Sequence, residues 1–148
     1  MTTTFWRPVS VPCLSLFMSI KIAIDRIDHL VLTVLDIQKT VDFYSLVLGM
    51  RVETFGEGRF ALRFGNQKIN LHSVETPIQP HANAPIPGAI DLCLITSSSM
   101  EDLLVRLGEC HVTILEGPVP RTGALGPIRS VYFRDPDLNL IEVSSYDE

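Results

Sequence analysis

The chain is 148 residues long, 46% hydrophobic and 20% charged, with a formal net charge of −5. That length and apolar content suit one compact domain that buries its own core, and leave no room for two. A net acidic chain with scattered Lys and Arg offers no basic stripe to a phosphate backbone, so the expected partner is a small molecule rather than nucleic acid.

Residues 1–24 contain no acid and one apolar patch from Val11 to Phe17, too short to span a bilayer. They read as a loosely ordered extension, with a true start at Met18 or a targeting segment as the other readings. No membrane association is expected. The domain itself is expected from Asp25 onward.

Ile27 to Val34 is almost wholly apolar and β-prone, the pattern of a buried strand. Asp36 can cap a following helix, in which Ile37, Val41, Tyr44 and Leu48 recur at helical spacing and Gly49 suits the C-terminus. "MRVETF", "RFALRFG" and "KINLHSV" are three strand candidates, separated by a turn at Gly56 to Gly58 and a hairpin turn at Gly65-Asn66. The first half is therefore βαβββ, over residues 25–75.

Four prolines mark residues 76–88 as a surface linker. The pattern then restarts over residues 89–148. "AIDLCLIT" is a strand, Ser98 with Glu101 forms a capping box ahead of Leu103, Leu104 and Leu107, and "HVTILEGPVPR", "IRSVYFRD" and "NLIEVSSY" supply three more strands. Setting the halves in register puts His29 on Asp91, Leu30 on Leu92 and Asn70 on Glu142, so polar residues fall on polar residues.

His29, Asp91 and Glu142 are each a lone metal-capable side chain in an apolar strand. Buried charges require a compensating partner, and a divalent metal is one. Taken singly, each has an ordinary reading: a hydrogen-bonded core histidine, a carboxylate bonded to loop amides, a glutamate paired with Arg129 or Arg134. Strand alternation puts Val31 and Thr33 on the His29 face, Cys93 on the Asp91 face and Ser144 on the Glu142 face. Cys93 reads as a small buried hydrophobe and the Phe43–Tyr44 pair as core packing, while His81 and His111 read as surface residues. Cys13, Cys93 and Cys110 have no CxxC spacing, which points to a reducing, cytoplasmic setting and away from disulfides or a cysteine zinc site.

The double repeat, the opening "DHLVLTV...FYSLVLGM" and the closing "VYFRDPDLNLIEV" resemble the vicinal oxygen chelate superfamily, which contains glyoxalase I, extradiol dioxygenases and bleomycin-binding proteins. Within it, "FGNQKINLH", "GAIDLCLIT" and "EGPVPRTGALGPIRSVYFRDPD" look like the glyoxalase domain-containing protein 5 group. "DPDxN" by itself is only a turn sequence. The resemblance implies an α+β fold of paired βαβββ modules forming a curved, partly open, barrel-like sheet.

It also implies metal ligands at His29 and Glu142, with Asp91 where relatives usually carry histidine and Asn70 where glyoxalase I carries glutamate. The metal implied is Mn²⁺, Fe²⁺, Ni²⁺ or Zn²⁺, with the oxygen-rich set tilting towards the first two. His72 or Asp91 would serve as proton acceptor, with Asn70, Arg121 and Arg134 as substrate-binding candidates. The activity implied is that of a lyase, isomerase or ring-cleaving dioxygenase acting on vicinal oxygens. A metal-free sequestering protein is the alternative. Relatives of this size look like obligate homodimers sharing ligands between subunits, although the same modules could pair within one chain.

Overall fold

The computed structural model describes residues 21–146. The expectation that the first 20 residues are loosely ordered lies outside them. The chain folds in the order β1 (His29–Val34), α1 (Ile37–Leu48), β2 (Arg51–Phe55), β3 (Arg59–Phe64), β4 (Gln67–Ser73), β5 (Asp91–Ile95), α2 (Met100–Glu109), β6 (Ile114–Gly123), β7 (Gly126–Arg134) and β8 (Leu140–Ser145). This is the expected α+β arrangement of two βαβββ modules. Each forms a four-stranded mixed sheet, ordered β1-β4-β3-β2 in the first and β5-β8-β7-β6 in the second, and neither closes into a barrel.

The repeat holds at the level of register. Leu30 pairs with Ile69 and Val31 with Asn70 in the parallel β1–β4 ladder, while Leu92 pairs with Ile141 and Cys93 with Glu142 in the parallel β5–β8 ladder. One face of each sheet, with Leu32, Val34, Ile69 and Leu71 in the first and Val131, Phe133, Ile141 and Val143 in the second, packs into a single core. Tyr44 from α1 and Leu107 from α2 are fully buried in that core. Burying such side chains contributes about 1.5–3 kcal/mol each.

Helix α1 begins as its sequence dictates. Asp36 accepts from Lys39 N at 3.0 Å, and Gly49 takes a left-handed φ of 65° that returns its N–H to the last turn. In α2 the cap is Ser99, one residue later than the Ser98–Glu101 box suggests. Its hydroxyl accepts from Asp102 N at 3.1 Å and donates to the Asp102 carboxylate at 2.8 Å. Met100 is thereby turned into the core as the first helical residue.

Three further expectations are corrected. β1 is a half-exposed edge strand rather than a buried one, so His29 is exposed, and Asp91 at the start of edge strand β5 is exposed as well. Cys93 is also exposed, because it shares the outward face with Asp91. "DPDLN" does more than turn the chain. The buried Asp135 accepts from the backbone N of Asp137 and Asn139 and from Asn139 Nδ2, while its Oδ2 takes the Tyr44 hydroxyl. Asp137 Oδ1 accepts from Leu35 N at 3.0 Å, so the turn locks the second module onto the first.

Candidate functional site

The faces of the two sheets turned away from the helices carry the polar residues. Across the first sheet the ladders align two full rows, Val31, Asn70, Ala61 and Glu53, and His29, Lys68, Arg63 and Arg51, and on the same face pair Thr33 with His72 and Phe55 with Arg59. Across the second sheet, Cys93 aligns with Glu142 and Tyr132, and Ile95 with Ser144 and Ser130. Asp91 lies on the same face one step along, beside Leu140.

Glu142 is the most elaborately held of the expected ligands. Ser130 Oγ donates to its Oε1 at 2.5 Å and Ser144 Oγ to the same oxygen at 3.1 Å. Both serines are completely buried, so their hydroxyls have no competing water. Burial pushes the Glu142 carboxyl up, but hydrogen bonds from Ser130, Tyr132, Ser144 and Cys93 outweigh it and leave the group below its ordinary value. It is therefore ionised and aligned. No arginine among the described residues pairs with it, contrary to the alternative that sequence left open.

His29 has one ring nitrogen engaged, since Nδ1 lies 2.8 Å from Asp28 Oδ1. A carboxylate on Nδ1 orients an imidazole so that Nε2 can ligate, a common support around metal-binding histidines. The Asp91 carboxylate has no hydrogen bond or ion pair among the described residues. In chemistry, this set of one supported imidazole, one hydroxyl-anchored carboxylate and one free carboxylate fits a divalent metal. In position it is divided. Among the described residues of one chain, no three His, Cys, Asp or Glu side chains converge closely enough to hold an ion. His29 stands on the first sheet, and Asp91 and Glu142 stand on the second.

His72 is buried on the first sheet, and its imidazole is held below the ordinary value by burial and by the charges of Arg59 and His81. Asn70 lies beside it, also buried, with Oδ1 lacking a hydrogen-bond partner among the described residues. Arg121 stands on the second sheet, where its guanidinium meets Glu116 at 2.7 Å and the Tyr132 hydroxyl at 3.1 Å. Arg134 donates to the Leu138 carbonyl at 3.0 Å, inside its own turn. Ser130 and Tyr132 were not singled out from sequence. Their signal was the alternation of Ser130, Tyr132 and Arg134 along β7, which puts all three on the Glu142 face.

A groove of about 440 Å³ runs between the end of α1 and α2, lined by Val47, Met50, Leu94, Leu103 and Val143 among others. None of the expected ligands lines it. No helix among the described residues is long and apolar enough to cross a membrane.

Comparison with known proteins agrees with this architecture. Over 128 residues, covering 86% of this chain and 89% of the relative, the chain is 55% identical to virulence protein STM3117 of Salmonella typhimurium. It is 51% identical over 128 residues to the glyoxalase domain-containing protein RDO1 of Mycosarcoma maydis, covering 86% and 72% of the two chains. An integron cassette protein from V. cholerae superposes with a TM-score of 0.85 at 52% identity, covering 86% of this chain and all of that one. The family profile that matches spans residues 26–143. This chain belongs to the Glyoxalase/Bleomycin resistance protein/Dioxygenase superfamily.

Proposed function

We propose that the protein is a metal-dependent enzyme of the cytoplasm acting on a small substrate with two adjacent oxygens. The segments that look like the glyoxalase domain-containing protein 5 group are consistent with that reading. The observation that carries it is the anchoring of Glu142. Two fully buried serines spend their hydroxyls on one carboxylate that faces outward on the same side of the sheet as Asp91, one step along, an arrangement that a purely structural residue does not require. His29, Asp91 and Glu142 would hold the metal, with Mn²⁺ or Fe²⁺ favoured by two carboxylates over Ni²⁺ or Zn²⁺.

Because one chain divides these ligands between its sheets, the complete site is built by two chains. The first sheet of one faces the second sheet of the other, so that His29 and His72 meet the partner's Asp91 and Glu142. The exposed edge strands β1 and β5 and the exposed apolar Val31 and Ile95 on these faces support a homodimer.

When bound, the metal supplies Lewis-acid polarisation of the vicinal oxygens. The chain's own residues provide the rest. His72, held neutral near pH 7 by burial and neighbouring cations, accepts a proton from the carbon beside a polarised carbonyl and returns it. Asn70 Oδ1, without a partner among the described residues, accepts from a substrate hydroxyl next to it. This assigns lyase or isomerase chemistry ahead of ring cleavage.

The test is metal analysis of protein purified without chelator. Stoichiometric divalent metal, lost in His29→Ala and in Glu142→Ala, is expected. A folded protein that takes up no added Mn²⁺, Fe²⁺, Ni²⁺ or Zn²⁺ yet binds small apolar ligands would overturn it in favour of a sequestering role.

A further inference from the structure

In a chain of net charge −5, the outward face of the first sheet gathers cations. Arg51, Arg59, Arg63 and Lys68 all point to that face, and Glu53 is the one carboxylate among them on β2 to β4. Glu53 is claimed by Arg63 and, at 3.9 Å, by Lys68. Arg59 has no ion-pair partner among the described residues. Its guanidinium lies 4.6 Å from the Phe55 ring centre, and Lys68 Nζ lies 4.0 Å from the same ring. Two like charges are thus drawn to one ring.

Phe55 offers each cation its quadrupole but no net negative charge, so their mutual repulsion is left standing. Lys68 is only 20% exposed at its side chain, which limits screening by water. Continuing the β3–β4 ladder two residues beyond the Ala61–Asn70 pair puts Arg59 beside His72, whose imidazole feels the Arg59 charge. Between the rows lie Ala61, which has no bulk, Asn70, with its unpartnered amide oxygen, and towards β2 Glu53, whose carboxylate Arg63 and Lys68 hold. The result is a shallow floor walled by Arg59, Lys68 and His72.

We propose that this floor is a seat for a carboxylate, so that the substrate of the site proposed above is a small organic acid rather than a neutral dicarbonyl compound. The assignment of the acid as substrate rests on that earlier reading; the seat itself rests on the first sheet alone. Arg59 supplies a planar fork matched to two carboxylate oxygens and Lys68 a second charge; the open Asn70 Oδ1, an acceptor, suits a hydroxyl on the same acid rather than its carboxylate. The residues that sequence nominated for this task are engaged elsewhere, Arg121 by Glu116 and Arg134 by the Leu138 carbonyl.

The experiment is calorimetric titration of the full chain with malonate, with dimethyl malonate as the uncharged control and methyl phosphate as the rival anion. Malonate should bind, the ester should not, and Arg59→Ala and Lys68→Met should each weaken malonate about tenfold. Arg59 is exposed and unpaired, so its variant should keep the wild-type melting temperature. Arg106→Ala, in an exposed helical pair with Glu109, should leave malonate binding unchanged. Separate titrations with Mn²⁺, Fe²⁺, Ni²⁺ and Zn²⁺ distinguish the two proposals: malonate binding without uptake of any of these metals defeats the metal site and keeps the seat. Absence of malonate binding, preference for methyl phosphate, or equal affinity in Arg59→Ala overturns the seat, as does a loss of dimer in Arg59→Ala with no loss of malonate binding.

Discussion

Tyr44 on α1 and Asp135 after β7 are 91 residues apart in sequence, and the Tyr44 hydroxyl donates to Asp135 Oδ2 at 2.9 Å inside the core. Burial first, and then the Asp135 carboxylate, push the Tyr44 phenol far above its ordinary value, so it remains a donor at any accessible pH. Replacing it with Phe keeps the ring and its edge-to-face packing on Phe43 but removes a charge-assisted bond between the modules. We expect Tyr44→Phe to lose about 2 kcal/mol. Denaturant unfolding measures this directly, and an unchanged midpoint would show that Asn139 alone satisfies Asp135.

Asp137 carries a pH signature. Burial raises its carboxyl above 3.8, and the charges of Asp135 and Asp36 add to the effect, against the bond from Leu35 N. A raised folded value means that the folded state holds a proton the unfolded chain has released, so stability falls as pH rises from 3.8 through the folded value. Asp137→Asn keeps an acceptor for Leu35 N and removes the charge from the unpartnered Oδ2 position. The variant should therefore gain on the wild type as pH rises and converge with it at the acid end. Melting curves across that range decide; a constant difference would refute the linkage.

Ser130 should matter to metal without touching it. Ser130→Ala deletes the 2.5 Å bond to Glu142 and allows the carboxyl to return towards its ordinary value. Loss of such a supporting bond lowers metal affinity about 10–100-fold. Competition against a fluorescent chelator reads that affinity, and wild-type affinity in the variant would reduce Ser130 to a packing residue.

Gly117 sits in the irregular start of the β6–β7 ladder with φ at +116°. A Cβ there would stand 2.5 Å from the Ser130 carbonyl and 2.8 Å from Val131 Cα, both backbone. Gly117→Ala combines backbone strain with a clash that neither strand can relieve, and should cost more than about 2 kcal/mol. Its metal affinity should fall as well, since Ser130 must move. Full stability in Gly117→Ala would show that the bulge relaxes freely.

The shared site makes a sharper demand. His29→Ala and Glu142→Ala chains, each unable to bind metal alone, should recover binding at one of the two sites when refolded together, because one interface then carries only intact ligands. A mixed dimer, verified by mass, that recovers nothing would place each site within one chain. A monomer at micromolar concentration would remove the proposal.

The repeat, its βαβββ order, the caps at Asp36 and Gly49 and the register that puts His29 on Asp91 and Asn70 on Glu142 were all legible in the sequence. They depend on neighbours a few residues apart, where side-chain periodicity and turn chemistry act directly. The exposure of His29 and Asp91 was not legible, because an apolar strand reads the same whether one of its faces meets a core or awaits a partner. The serine grip on Glu142, the cations sharing Phe55 and the bond from Tyr44 to Asp135 were hidden for the same reason. Each joins strands or modules whose spacing is set by sheet pairing and core packing, and only the folded chain decides which distant side chains those forces bring within reach.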